Sequence, residues 1–523
     1  AVHFTAHDEL SLLWLLLGLG AMLVSAALWR LPVPLLLVCG GLLIGFIPGL
    51  PRIELAPDLV LVAILPPLLY SSAFFTGLRD LRTNLRPISL LAFGVVIATT
   101  CGVALVAHWV IPHMTWGSAF TLGAIVSPTD ALATTEVASR LRLPRRVVSI
   151  IEGESLFNDG ISLVLYKVAV GAAVAGTFSL WNASWHLVVS VIGGLAVGLA
   201  VAFAVRQVRK RIDDTPTEVA IALLSGYLAY LPAAAIGVSG VLAAVTVGVY
   251  MGWYTPELTT VRTRLSGDAF WEILVFLVNA LLFALVGLQL HTIAARLPIT
   301  GRLIGEAAAI IVAVVVIRLV AVPIVTYVPR FLLRRVREHD PYPPWQYPAV
   351  IGWAGVRGAV SLAAALALPV NVPDRDLIVF ITFAVILFSL MGPVITLPWI
   401  VGLIGIEDDG KAELEDSKAR IKAAEAGLAR LEELANEDWV NPETAARLRG
   451  QYRFRSSRFR ARYTGEDGDG VEEQSARYQR LRRELLDAER GAVLALRNEG
   501  TITEEVMQRV QRDIDLETSR LDL

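Results

Sequence analysis

The sequence predicts an all-α membrane protein of about thirteen transmembrane helices, followed by a soluble helical domain. Three observations predict it. The 523-residue chain is 55% hydrophobic with a mean hydropathy of +0.59, too apolar for an ordinary soluble protein. Up to about residue 405 its apolar residues gather in runs that approach or exceed the ~20 residues needed to span a bilayer. From Glu407 onward it is dense in Glu, Asp, Arg and Lys, so the net charge of −2 averages two unlike parts.

Taken in order, the expected spans are 10–29, 33–50, 59–75, 88–111, 117–137, 147–170, 184–205, 217–232, 236–254, 268–290, 303–328, 347–369 and 376–404. Asp8 and Glu9 precede the first where a signal peptide would carry basic residues, so it reads as a retained helix. Cys39 and Cys101 both fall in spans, which argues against a disulfide framework. An odd number of spans puts the termini on opposite sides. Alternate connections hold Arg30, then Arg79, Arg82 and Arg86, then Arg140, Arg142, Arg145 and Arg146, then Arg206, Arg209, Lys210 and Arg211, then Arg262 and Arg264, then Arg330, Arg334, Arg335 and Arg337. The other set holds only Arg52, Arg296, Arg302 and Arg375. Positive charge marks the inside, so the N-terminus is expected outside and the C-terminal segment in the cytoplasm.

Two spans are interrupted at membrane depth: the fifth by Pro128, the twelfth by Gly352-Trp-Ala-Gly355-Val-Arg-Gly358. Broken helices in corresponding halves of an inverted repeat mark a binding site at the repeat interface. The two breaks correspond if spans one to six and eight to thirteen are the repeats. Glycine that merely allows close helix packing is the alternative reading.

The sixth span carries Glu152-Gly-Glu-Ser-Leu-Phe-Asn-Asp-Gly160. Acids at bilayer depth cost several kcal/mol unless paired or wet, and usually mark ion or proton pathways. Ser155 and Asp159 lie four residues apart, as do Glu154 and Asn158, so each pair shares a helix face. Ser155, Asn158 and Asp159 can thus present oxygen ligands, which suit hard cations, to one cavity. Desolvation favours a protonated carboxyl and a bound cation favours the charged form, so Asp159 can hold either, and exclusive occupancy is what antiport requires. In the other break, Pro128 frees backbone carbonyls, with Thr129 as a carbonyl ligand and Asp130 either a ligand or a balance for half-helix ends. Buried cations must answer these acids: Arg318 in the eleventh span is expected to pair with Glu154, while the sequence leaves the partner of Arg357 open, backbone carbonyls of the broken helices being candidates. Glu152, Lys167 and Glu272 are weaker candidates for cavity mouths or helix ends.

Beyond Ile406, helices are expected over 411–437, 472–495 and 501–520, with a basic stretch at 442–462. The run Arg453, Arg455, Arg458, Arg460 and Arg462, with Tyr452, Phe454 and Phe459, reads as a solvated face more readily than as a lipid or nucleic-acid patch. No nucleic-acid partner is expected.

Five motifs together resemble the cation/proton antiporter-1 family, the NhaP-type bacterial antiporters and the animal sodium/proton exchangers. They are Leu65-Pro-Pro-Leu-Leu-Tyr70, Ser127-Pro-Thr-Asp130, Gly153-Glu-Ser-Leu-Phe-Asn-Asp159, Gly237-Val-Ser-Gly-Val-Leu-Ala243 and Gly355-Val-Arg-Gly-Ala-Val-Ser361. Their order and spacing cover nearly the whole membrane body. The resemblance implies an NhaA/NhaP-like fold with inverted repeats and two broken, crossing helices. It implies a homodimer in which core helices (about 88–170 and 303–404) move against dimerisation helices (about 10–75 and 184–290). It carries Asn158 and Asp159 over as the ion-binding pair, with Asp130, Thr129 and Ser155 completing the site, Na+ held at Asp159 and Asp130, and Glu154–Arg318 as a structural ion pair. Relatives with Asn-Asp at this point exchange one cation for one proton without net charge, as one titrating carboxylate also requires. After Leu65-Pro-Pro the chain reads Tyr70-Ser-Ser-Ala73, without the acid some relatives carry there.

The expected protein is therefore an electroneutral Na+(Li+)/H+ antiporter of the plasma membrane, without a cofactor and not an enzyme, since no metal-ligand cluster or nucleophile–base arrangement stands out. K+/H+ exchange on the same fold is the alternative. A channel would carry current, and a sensor signalling through 406–523 would need an output signature that the sequence lacks. Segment 406–523, outside the resemblance, is read as a regulatory tail with a ligand or self-association of its own.

Overall fold

In hydrocarbon every backbone polar group must be satisfied within its own segment or by packed protein, and the described chain is helical throughout. The computed structural model describes residues 60–130, 143–176, 180–296, 300–406, 410–464 and 471–521, with positions 20, 24, 36, 40, 134, 135, 138, 141 and 408 between and before them. Apart from positions 20, 24, 36 and 40, the expected spans 10–29 and 33–50 lie outside these residues, as do Cys39 and the loop residues Arg30, Arg52, Arg140 and Arg142. Cys101 is a free, exposed thiol.

A wide turn, Val60–Ile64, leads into α1 (Leu65–Phe75). Then come α2 (Leu78–Thr83), α3 (Leu85–Val110), α4 (Trp116–Val126), α5 (Arg145–Ala175), α6 (Leu180–Arg209), α7 (Thr215–Ala235), α8 (Gly240–Leu258) and α9 (Val261–Arg296). The membrane body continues with α10 (Gly301–Leu332), α11 (Arg334–His339), α12 (Gln346–Trp353), α13 (Ala359–Leu366) and α14 (Arg375–Ile404). Their starts are written locally. Thr115, Asp214, Ser239 and Thr300 each accept a backbone N–H three residues on, from Ser118, Thr217, Leu242 and Leu303, which satisfies donors that a helix start leaves free.

Seven of the described helices are long and apolar enough to cross a membrane. On α10, Val312, Val316, Val320 and Ile324 form an outward stripe, each at least half exposed, a surface that belongs against lipid rather than water. The helices pack as two groups. One gathers α1, α6, α7 and α8 around Tyr70, Ala229, Val247, Met251 and Trp271. Gly252 lets α8 lie flush on α1, since a Cβ there would stand 2.2 Å from the Phe74 carbonyl oxygen. The other gathers α3, α4, α10, α13 and α14 around Leu122, Ile310, Val356 and Phe383. Helices α5 and α9 touch both groups, and the site lies along them.

Residues Asp408–Leu523 form a separate compact unit. In it α15 (Lys411–Leu434) and α16 (Pro442–Thr464) run antiparallel, tied by a two-pronged Arg449–Glu432 contact (2.7 and 2.9 Å) and by Arg460–Glu425 (2.7 Å). Exposed pairs of this kind contribute little each, about 0–1 kcal/mol. A second hairpin, α17 (Val471–Asn498) and α18 (Glu504–Leu521), buries Leu486, Met507 and Ile514 and carries an Arg490–Asp515 bridge at 2.9 Å.

Candidate functional site

Helix α4 stops at Val126 because Pro128 has no amide hydrogen and its ring collides with the preceding turn. Ser127 to Asp130 are non-helical. A second break, Ala354 to Gly358, separates α12 from α13. The two breaks meet. The Asp130 amide donates to the Val356 carbonyl (2.7 Å), and the Thr134 hydroxyl to the Ala354 carbonyl (2.9 Å).

Charge is placed to suit the half-helix ends. Arg357, 2% exposed, donates from Nε to the Val126 carbonyl at the C-terminal end of α4 (3.0 Å) and from Nη1 to the Gly355 carbonyl. Its own amide donates to Ser389 Oγ of α14 (2.9 Å). At the N-terminal end of α13 stands the Asp130 carboxylate. A cation at a C-terminus and an anion at an N-terminus both oppose the helix dipole.

Close approach requires the break glycines. A Cβ on Gly358 would lie 1.9 Å from Asp130 Oδ2, and one on Gly355 would lie 2.3 Å from Arg318 Nε. At Gly352 an added Cβ would meet Leu319 at ordinary contact distance, 3.4 Å, so close approach does not require that glycine. Gly358→Ala is expected to push the Asp130 carboxylate aside. Displacements of about 1 Å at a reacting site can cost ~10²-fold, so ion-driven flux in vesicles should fall by that order with the membrane fold intact, read by thermal melting.

Helix α5 pins the first break from the side. Ser155 Oγ donates to the Thr129 carbonyl and Asn158 Nδ2 to Thr129 Oγ1, both at 2.7 Å. Asp159, 9% exposed, lines a cavity of about 590 Å3 together with Asp130, Thr129 and Ser155. At ~30 Å3 per water that is room for roughly twenty waters, ample for a hydrated cation. The cavity is also lined by α1, with Ser71 and Ser72, and by α9, with Asp268, Glu272 and Asn279. Asn158 is fully buried and is not on the wall; its amide holds Thr129. Glu152 is on the wall, whereas Lys167 is exposed about four turns further along α5.

Behind the site, Glu154 and Arg318 form a two-pronged ion pair (2.7 and 3.0 Å), 1% and 3% exposed, and Arg318 Nη2 also donates to the Ile351 carbonyl at 3.2 Å. Sequence reasoning passed over Asp268, Asn279, Ser361 and Ser389. The signal existed for α9: Asp268, Glu272 and Asn279 are polar residues at spacings of four and seven in an apolar run, one helix face. A signal existed for α14 too: Thr382, Ser389 and Thr396 are hydroxyls seven residues apart in an apolar run, again one helix face.

The family described as sodium/hydrogen exchanger, transmembrane, matches residues 12–402 by its sequence profile. An uncharacterized Na+/H+ exchanger of Mycobacterium tuberculosis is 34% identical over 94% of this chain and 92% of its own length. The Na+/H+ antiporter ApNhaP of Aphanothece halophytica is 32% identical over 78% of this chain and 77% of its own. Among solved structures, the sodium proton antiporter MjNhaP1 of Methanocaldococcus jannaschii superposes with a TM-score of 0.61 at 20% identity, over 77% of this chain and 99% of that one.

Proposed function

The chain belongs to the sodium/hydrogen exchanger family, and from that premise we propose that it exchanges one Na+ or Li+ for one H+ by alternating access at Asp159. The observation that carries the proposal is the position of Asp159: on the wall of a cavity of about 590 Å3 that Asp130 also lines, where two broken helices meet.

Charge counting supplies the mechanism. Asp159 with a proton and Asp159 with a monovalent cation have the same net charge. A charge at bilayer depth is costly, so the bare carboxylate is the state least able to be carried across, and each crossing requires one passenger. Thr129 and Ser155 supply oxygen atoms that replace the lost hydration of a hard cation. Asn158 holds Thr129 in place through its amide. The Asp130 carboxylate stands against the α13 end and lines the same cavity, where it would add to the field that draws a cation in.

In this reading the helices at about 88–170 and 303–404 move against those at about 10–75 and 184–290, which join two copies in a plasma-membrane dimer with the N-terminus outside. The segment from residue 406 on is cytoplasmic and regulatory. Truncation after Ile406 is then expected to shift the pH dependence or rate of exchange and leave ion selectivity unchanged; loss of folded protein on truncation would show a structural role instead.

The test is cation-induced collapse of a preset pH gradient in proteoliposomes, with Na+, Li+ and K+ added separately and the membrane potential clamped or free. Collapse by Na+ or Li+ that ignores the potential is the expected result. Dependence on the potential would overturn the one-for-one stoichiometry, and response to K+ alone would overturn the substrate.

A further inference from the structure

Helix α17 has two apolar faces, and α18 covers one of them, at Leu486. On the other, Tyr478, Leu481 and Leu485 are 60%, 61% and 48% exposed, and Ala488, Ala492 and Ala495, also exposed, continue the line. The spacings three, four, three, four, three are those of alternating a and d positions in a coiled coil. The first half of the stripe is large and the second half small.

That asymmetry fits one occupant. If a second copy of α17 lies antiparallel with Leu485 opposite Ala488, then Leu481 falls opposite Ala492 and Tyr478 opposite Ala495. Every layer then sets a large side chain against a small one, the arrangement that fills space between facing helices. In the same register Arg482, which reaches Glu517 within its own chain, comes beside Glu489 of the second copy. A parallel pair would stack large on large, and would set Arg477 against Arg482 and Glu484 against Glu489, like charges at the flanking positions that choose orientation. The borders alternate Arg477 and Arg482 with Glu473, Glu484 and Glu489, a mixed rim that suits a self-complementary partner better than the uniformly cationic rim that favours anionic lipid.

We propose that this face is a homotypic docking surface, on which α17 of one chain pairs antiparallel with α17 of a second copy about a two-fold axis between Leu485 and Ala488. About three heptads bury less than the ~800 Å2 per partner of a free-standing interface, so the pairing operates between chains concentrated in one membrane.

The test uses the full chain in bilayers, with Cys39 and Cys101 replaced by serine. Leu481→Cys and Ala492→Cys chains carrying different tags are co-expressed and treated with a short bifunctional maleimide. The expected product joins one chain of each kind and is absent from Leu481→Cys alone, because in the antiparallel register the two copies of position 481 lie about 16 Å apart along the axis at 1.5 Å per residue. Adding Leu485→Glu to both chains is expected to abolish the product while far-ultraviolet circular dichroism is unchanged, since this side chain is half exposed and α18 packs at Leu486, about 100° round the helix. Linkage of Leu481→Cys to itself would overturn the antiparallel register. Absence of any product would overturn the surface altogether, with shielding of Leu481→Cys by anionic bilayers reassigning the stripe to lipid.

Discussion

Asp159→Asn is expected to abolish cation-driven proton movement. The substitution keeps the size and most of the polarity of a side chain that is 9% exposed, but it removes the only property the proposed cycle needs from it, the choice between a proton and a cation. Transport should fall to the background of empty vesicles for Na+ and Li+ alike. Stability should hold or rise, because a buried charge gives way to a neutral group. Gradient collapse and a thermal melt on the same preparation separate the two effects. Asp130→Asn is the comparison that matters. Its carboxylate stands at the N-terminal end of α13, where loss of charge forfeits about 0.3–1 kcal/mol of dipole stabilisation, up to ~2 in partly buried geometry, so it should weaken cation affinity and leave proton coupling in place. If Asp159→Asn still exchanged cation for proton while Asp130→Asn did not, the coupling carboxylate would be Asp130.

The second large effect is expected on stability. Arg318 and Glu154 are almost wholly buried and bonded at two points. Removing either partner alone, as in Glu154→Gln or Arg318→Met, strands a charge and should cost about 3–5 kcal/mol, seen as a fall in melting temperature or in the yield of folded protein. Arg318 also fills the space beneath Gly355 and bonds the Ile351 carbonyl, so its loss should loosen the second break as well. The double change Glu154→Met with Arg318→Met removes both charges, and well-packed apolar replacements of buried pairs are often neutral or better. Recovery of stability in the double variant, with exchange retained, would mark the pair as structural. Recovery of stability without exchange would give it a part in transport.

The chemistry of the site was legible in the sequence to an unusual degree, and for a physical reason. Hydrocarbon makes polar residues expensive, so Asp159, Asp130, Glu154 and Arg318 stand out from apolar neighbours without any knowledge of the fold. Pro128 and the glycines from 352 to 358 marked the chain breaks because helix termination is local. Among the described residues the limits of α5 and α10 were legible for the same reason, each extending a few residues beyond its apolar core as polar ends continue a helix that is already nucleated.

What the sequence by itself determined is therefore the membrane class, the placement of breaks and the residue types available for cation and proton. Tertiary structure alone decided how they are used. It turned Asn158 onto Thr129 instead of the cavity wall, gave Arg357 the carbonyls of Val126 and Gly355, set Gly358 against the Asp130 carboxylate, and brought Asp268 and Asn279 of α9 to the cavity that Asp159 lines. Several of these contacts join residues that are far apart in the chain, and all depend on how one helix is rotated against another. Hydropathy and spacing fix which face of a helix is polar; only packing fixes which neighbour that face meets.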